Sequence, residues 1–384
     1  MHEAPPTDGA PAGIYLHFPF CTERCTYCDF VTATGPADAV APYLTALETE
    51  IGSFQRELPT LADSVYFGGG TPSRMTPLQV SGVLGVVRSR FRLLPETEVT
   101  LEANPESLSP ESLAGYREAG VTRMSVGVQS LDDDVLRRVG RAHDSVRARR
   151  AVREAKSAGF RSVNLDLIAG LPGEDLSGWR DTVEQAAALL PDHVSVYLLE
   201  TDKETPLSRS IRAGRAPLAD EDAFAGVYEA TVLALEAAGY ALYEISNFAR
   251  PGHESRHNLK YWSDAPYGGF GLGAHAYFAG ARRANTRSLP RYLAALAEGR
   301  DPLEWNDPWD PRRRLAEALI LGLRVARGVD LDRLGLRYGV DLDSLYAQAW
   351  ERGCEAGLVE RSGPSLRLTP RGRLRSNELF ADLI

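Results

Sequence analysis

A chain of 384 residues, 43% hydrophobic and 25% charged, is long enough for one large core and a smaller one. Its formal net charge of −9 argues against non-specific binding to nucleic acid or to anionic lipid. Four cysteines, three of them clustered, make no disulfide framework and imply a reducing, cytoplasmic setting.

Residues 1–12, rich in Pro and Ala with no basic segment and no apolar core, are not a signal peptide and read as a disordered tail. No apolar run is long enough to span a bilayer, so no membrane segment is expected, and peripheral membrane contact stays open. After the tail, short apolar runs alternate with stretches of helical period. The runs are 13–18, 64–67, 98–103, 123–129, 162–168 and 193–199; the helical stretches are 41–56, 77–90, 109–119, 145–158 and 176–190. Ser109 and Ser145 stand where N-caps belong. Six strands separated by helices imply parallel pairing through right-handed crossovers. The predicted fold class is α/β: a partial (β/α)6 barrel over 13–240, with a doubly wound open sheet as the alternative. In barrels the C-terminal strand ends carry the site.

Beyond the sixth run the pattern loosens. Residues 221–238 read as a helix and 241–245 as a strand. A segment rich in Gly, His and aromatics follows at 253–277. Residues 298–311 hold Pro302, Pro308, Pro311, Trp305 and Trp309 and read as a linker, making 241–310 a connecting segment. Helices are expected over 312–326 and 342–356, then a hairpin over 358–370 turning at Ser362-Gly363-Pro364, then a last helix. Residues 311–384 thus form a small winged-helix-like domain that lacks the positive charge of a DNA reader. Cys354 reads as a small buried residue on its helix.

The densest chemistry lies at His17-Phe18-Pro19-Phe20-Cys21-Thr22-Glu23-Arg24-Cys25-Thr26-Tyr27-Cys28-Asp29-Phe30. Three thiolates at CxxxCxxC spacing can hold three irons of a [4Fe–4S] cluster and leave the fourth iron open. The competing reading is structural zinc, which takes four ligands, commonly as two CxxC pairs, and no second pair exists here. Gly68-Gly69-Gly70-Thr71 ends the second run, where consecutive glycines let backbone approach a ligand. Glu102, Gln129, Arg141 and Asp166 are polar residues at or near later strand ends. An Asp inside an apolar strand needs a partner.

The cysteine motif resembles the radical S-adenosylmethionine (SAM) superfamily, in which SAM chelates the open iron. The runs HFPFC, YCDF, GGGTPS, LEANP, VGVQS, GRAHD and NLDLIAGLPG resemble the oxygen-independent coproporphyrinogen III oxidase family, and within it most closely the haem chaperone branch. The resemblance covers nearly the whole chain. It implies that Cys21, Cys25 and Cys28 hold the cluster, and that Tyr15, Tyr27, Gly69, Gly70, Thr71, Glu102, Gln129, Arg141 and Asp166 line the SAM site. The oxidases carry a fourth cysteine two places after the third, where this chain has Phe30, and a longer segment before the motif. The chaperone branch carries HNxxYW, here His257-Asn258-Leu259-Lys260-Tyr261-Trp262, a motif tied to haem. A histidine is a common axial ligand to haem iron, and aromatic neighbours pack on a porphyrin face. From the residues alone, His257 also reads as a buried structural histidine. His253 and His275 are further candidates, and Arg282, Arg283 and Arg287 are either propionate partners or a solvated basic patch. The resemblance implies a chaperone handing haem to an acceptor protein, with a reductant for the cluster; the rival is an oxidase decarboxylating a porphyrinogen.

Overall fold

The computed structural model describes residues 9–34, 37–55, 57–217, 221–308 and 310–384, with no side chains described for 37 and 221–223. Most of the expected tail, the end of the first expected helix at Arg56, and Trp309 lie outside these residues.

Six parallel strands form the centre of a twelve-stranded sheet: β1 (Ala12–Phe18), β2 (Leu61–Gly69), β3 (Arg92–Ala103), β4 (Arg123–Gln129), β5 (Ser162–Ala169) and β6 (His193–Leu198). They pair in chain order. Helices α1 (Val40–Ser53), α2 (Pro77–Arg90), α3 (Pro110–Ala119), α4 (Asp133–Arg138), α5 (Ser145–Ser157) and α6 (Leu176–Ala188) lie in the five crossovers. The apolar strand residues Ile14, Leu16, Val65, Leu101, Val126, Leu165 and Val194 join one core with the inner faces of the helices. This is the partial (β/α)6 barrel that the alternation predicts.

Caps set several helix starts. Thr76 and Ser109 form capping boxes with Gln79 and Ser112. The cap of α5 is Asp144, not Ser145: the Asp144 carboxylate takes the Arg147 N–H, while the Ser145 N–H donates to Asp133 Oδ1 (2.7 Å).

The segment after α7 (Pro206–Arg212) and α8 (Glu221–Ala237) extends both edges of the sheet. β7 (Ala241–Glu244) and β8 (Asn247–Ala249) add antiparallel strands beside β6. The helix α9 (Arg256–Trp262) then crosses to the other side, where β9 (Tyr267–Phe270) pairs parallel to β1. β10 (His275–Phe278), β11 (Ala281–Asn285) and, after α10 (Leu289–Ala297), β12 (Leu303–Asp307) follow antiparallel. The stretch expected as a linker therefore contains an edge strand.

A second core, built on Leu319, Leu323, Trp350, Leu366 and Phe380, holds the C-terminal unit. Its hairpin, Val359–Ser362 with Ser365–Leu368, turns through Gly363 as expected. The helix expected over 342–356 is broken at Tyr346 (φ −115°), where the Trp350 indole N–H donates to Leu342 O (3.2 Å). Cys354 is exposed, not buried, because the helix turns that face outward.

Candidate functional site

The cysteine loop leaves the C-terminal end of β1 and runs along the glycine end of β2. Gly70 N–H donates to Phe18 O (2.7 Å) and Thr71 N–H to Phe20 O (3.0 Å). A Cβ on Gly70 would stand 2.5 Å from Pro19 O and 3.0 Å from Cys21 Sγ, so only glycine lets the two segments meet. Gly69 takes φ 119°, open to glycine alone, and turns its N–H onto Glu102 Oε2 (3.1 Å).

Two side chains point donors at the thiols. Thr71 Oγ1 lies 3.6 Å from Cys21 Sγ, and Arg141 Nη1 lies 3.4 Å from Cys25 Sγ. Arg141 also reaches Tyr27 Oη (3.5 Å), Gly127 O (2.6 Å) and Asn104 Oδ1 (2.8 Å). Asn104 Nδ2 donates to Thr71 Oγ1 (3.2 Å), closing a ring of contacts around the loop. Asn104 went unremarked in sequence, although it stands inside LEANP; its signal was an amide directly after a strand end.

All three cysteines are half-buried free thiols. Burial pushes the Cys28 thiol up to about 11 and raises Cys21 as well. A bound cation reverses that by favouring thiolate. Among the described residues, no three His, Cys, Asp or Glu groups are placed to hold one metal ion. A [4Fe–4S] cluster asks for less convergence, since each thiolate meets a different iron. The donor set fits a cluster: three free thiols, a backbone cradle a Cβ would fill, and a buried Arg141 Nε without a partner.

Deeper in the lumen, Glu102 accepts from Tyr66 Oη (2.7 Å), and burial lifts its carboxyl to about 7. The Tyr15 ring stacks on Tyr66 at 6.1 Å, and its hydroxyl meets His17 Nδ1 (3.1 Å). Gln129 ends β4 at φ 70°, with its amide over Gly127. Asp166 accepts from Ser125 Oγ (2.8 Å) and Asn164 Nδ2 (2.7 Å), and burial raises its pKa. Its charge acts on Glu102. Arg123, buried at the start of β4 with Nε and Nη2 unpartnered, was also unforeseen.

The HNxxYW helix α9 sits at the opposite end of the strands. Its cap Ser255 accepts the Asn258 N–H (3.3 Å), and the His257 N–H reaches Glu98 Oε1 (3.2 Å). His257 is fully buried: Nδ1 meets Ser64 Oγ (2.9 Å) and Nε2 meets Tyr261 Oη (2.9 Å). Burial first, then Lys260, lowers its pKa to about 3. Lys260 pairs with Asp63 (2.8 Å) and with Pro11 O (2.7 Å). Trp262 lies under the Arg324 guanidinium at 5.7 Å. The helix closes the barrel floor, and both His257 nitrogens are engaged by protein.

Residues 15–186 match the model of the radical SAM superfamily, and residues 309–375 match the HemN C-terminal domain. The haem chaperone HemW of Bacillus subtilis is 36% identical, with 95% of this chain and 97% of that one covered. The haem chaperone HemW of Mycobacterium tuberculosis is 40% identical, with coverage of 99% and 96%. Coproporphyrinogen III oxidase (HemN) from Escherichia coli, described as a radical SAM enzyme, superposes with a TM-score of 0.84. That match has 22% identity and covers 97% of this chain and 90% of that one, which establishes the shared fold.

Proposed function

Since this chain belongs to the HemW family of radical SAM proteins, we propose that it binds haem and passes it to an acceptor protein. Its cofactors are a [4Fe–4S] cluster, SAM and haem. Cys21, Cys25 and Cys28 hold the cluster in this reading. Thr71 and Arg141 direct donors at the thiolates, and Arg141 offsets their charge. The glycine end of β2 lets SAM approach backbone, with Tyr15, Tyr27, Glu102, Gln129 and Asp166 around it. When bound, the cluster and SAM supply one-electron chemistry. The protein's part is to bind, orient and exclude water: Glu102 and Asp166 offer acceptors in a buried lumen, and Tyr66 fixes Glu102 through one hydrogen bond.

Phe30 carries the choice of chaperone over oxidase. Where the oxidases of the wider family resemble one another in a fourth cysteine, this chain has a phenylalanine that is 64% exposed. An exposed aromatic at the site's rim suits contact with a flat apolar ligand or a partner. Haem and an acceptor protein are the partners, together with a reductant for the cluster, in the cytoplasm. Among the described residues no helix is long and apolar enough to cross a membrane.

Anaerobic titration of reconstituted protein with haem, followed by absorbance, tests this. Saturable binding without sustained conversion of coproporphyrinogen III is expected. Steady production of protoporphyrinogen IX with SAM and reductant would refute the chaperone reading.

A further inference from the structure

Side chains that face the lumen come in rows, because register partners on neighbouring strands point to the same face of a sheet. Two of these rows are closed by the fold. At the floor, Glu98 takes the N–H groups of Arg256 and His257, and its register partner Ser64 meets the His257 ring. Higher up, Ser125 and its register partner Asn164 both donate to Asp166, and Asn164 also reaches Ser195.

The row between them is open. Thr100 on β3, Arg123 on β4 and Ser162 on β5 are register partners. Their chain neighbours Val99, Leu101, Met124 and Val163 belong to the core under the helices, so the alternation of a strand turns these three toward the lumen. All three are buried, Arg123 to 2% exposure. Thr100 Oγ1, Arg123 Nε and Nη2, and Ser162 Oγ are buried with no hydrogen-bond partner. The Arg123 charge is felt by Glu102, Asp166, His193 and Tyr243, yet the guanidinium forms no ion pair among the described residues. A buried cation without a partner is costly, and a fold that keeps one gains when a ligand brings the counter-charge. Nε and Nη2 share one edge of the planar guanidinium, and that edge matches the two oxygens of a carboxylate; the hydroxyls on either side add donors. A single positive charge, with the carboxyls of Glu102 and Asp166 near it, suits a monoanion rather than a phosphate dianion.

We propose that Thr100, Arg123 and Ser162 form a seat for a carboxylate group carried by a ligand inside the barrel. The seat stands one row in from Glu98, which takes the first N–H groups of α9, about 7 Å along the strand. Two sources share this chemistry: a propionate of haem held at the motif helix, or a small free carboxylic acid that enters the lumen. The first source rests on the reading that the chain binds haem; the seat itself does not.

The test uses full-length, cluster-reconstituted protein. Wild type, Arg123→Met and the double variant Thr100→Val/Ser162→Ala are titrated by absorbance with haem and with haem dimethyl ester, whose propionates are blocked. The thermal midpoint of each is also read in sodium propionate and in sodium chloride at equal ionic strength. If haem fills the seat, wild type prefers haem to its ester by about tenfold or more, the effect of one charge-assisted pair. If a small acid fills it, propionate raises the wild-type midpoint and chloride does not. Arg123→Met is expected to abolish whichever effect is seen, with iron and sulfide content unchanged. The double variant keeps the charge and should weaken the same effect severalfold, so it carries the test should Arg123→Met fail to fold. Neither effect in wild type, equal shifts with chloride, an effect that survives Arg123→Met, or one untouched in the double variant overturns the seat. Wild type that takes up neither haem nor its ester sinks the chaperone reading, and the propionate arm then still decides the seat.

Discussion

The two ends of the half-barrel use similar residues to opposite effect. At the floor, His257 spends both nitrogens on Ser64 and Tyr261, and Lys260 is neutralised by Asp63. At the mouth, three thiols are free and Arg141 keeps a buried Nε without a partner. The free thiols beside an unspent Arg141 donor leave room for a ligand at the mouth, whereas the His257 ring is held by the fold.

The largest effect should come from the mouth. Cys25→Ala is expected to remove nearly all iron and sulfide after reconstitution, while the urea midpoint of the apoprotein barely moves. Retained iron would show that the loop is not the cluster site. The floor should respond the other way. His257→Ala strands two buried hydroxyls and leaves a void, costing about 3 kcal/mol in urea unfolding, with iron content unchanged. A cluster lost together with stability would erase the distinction between the ends.

Gly70→Ala forces a methyl into Pro19 O and should lower iron loading while leaving most secondary structure intact by circular dichroism. Full loading would mean that the glycine cradle is slack. The smallest effect is in pH. Glu102 titrates near 7 in the fold against an ordinary 4.5, so its contribution to stability falls as pH rises from 4.5 through 7. His257 titrates near 3 against 6.5, so its contribution falls as pH drops from 6.5 toward 3. Glu102→Gln should remove the loss of stability between pH 4.5 and 7 and leave the slope below 4.5 unchanged; a change below 4.5 would break the pairing of each end with its own titration.

Legibility in the sequence followed the range of the interactions. The run at 123–129 matches β4 residue for residue because both faces of that strand are covered. β3 begins at Arg92, earlier than the apolar run at 98, because its first five residues are exposed or half-buried and carry no apolar signal across them. Of the outer strands, only β7 was legible, as the strand expected over 241–245. Gly268 and Gly269 fall in the segment read only as rich in Gly, His and aromatics, yet β9 pairs with β1, and a Cβ on Gly269 would stand only 1.9 Å from His275 O. That constraint comes from the neighbouring antiparallel strand β10, which no local pattern records. The mouth residues were legible because catalytic-type side chains are rare at apolar strand ends. The state of His257 was not, because its partners Ser64 and Tyr261 come from separate elements.

The place of β1 in the sheet sets a clock. Its neighbour β9 begins at Tyr267, about 250 residues after β1 ends at Phe18. At roughly 5–20 residues per second of synthesis, the strand that carries the cysteine loop waits on the order of 10–50 s for its second flank. During that interval the thiols emerge on a half-paired strand. Metal delivery to this protein is therefore best timed after the ribosome has released most of the chain.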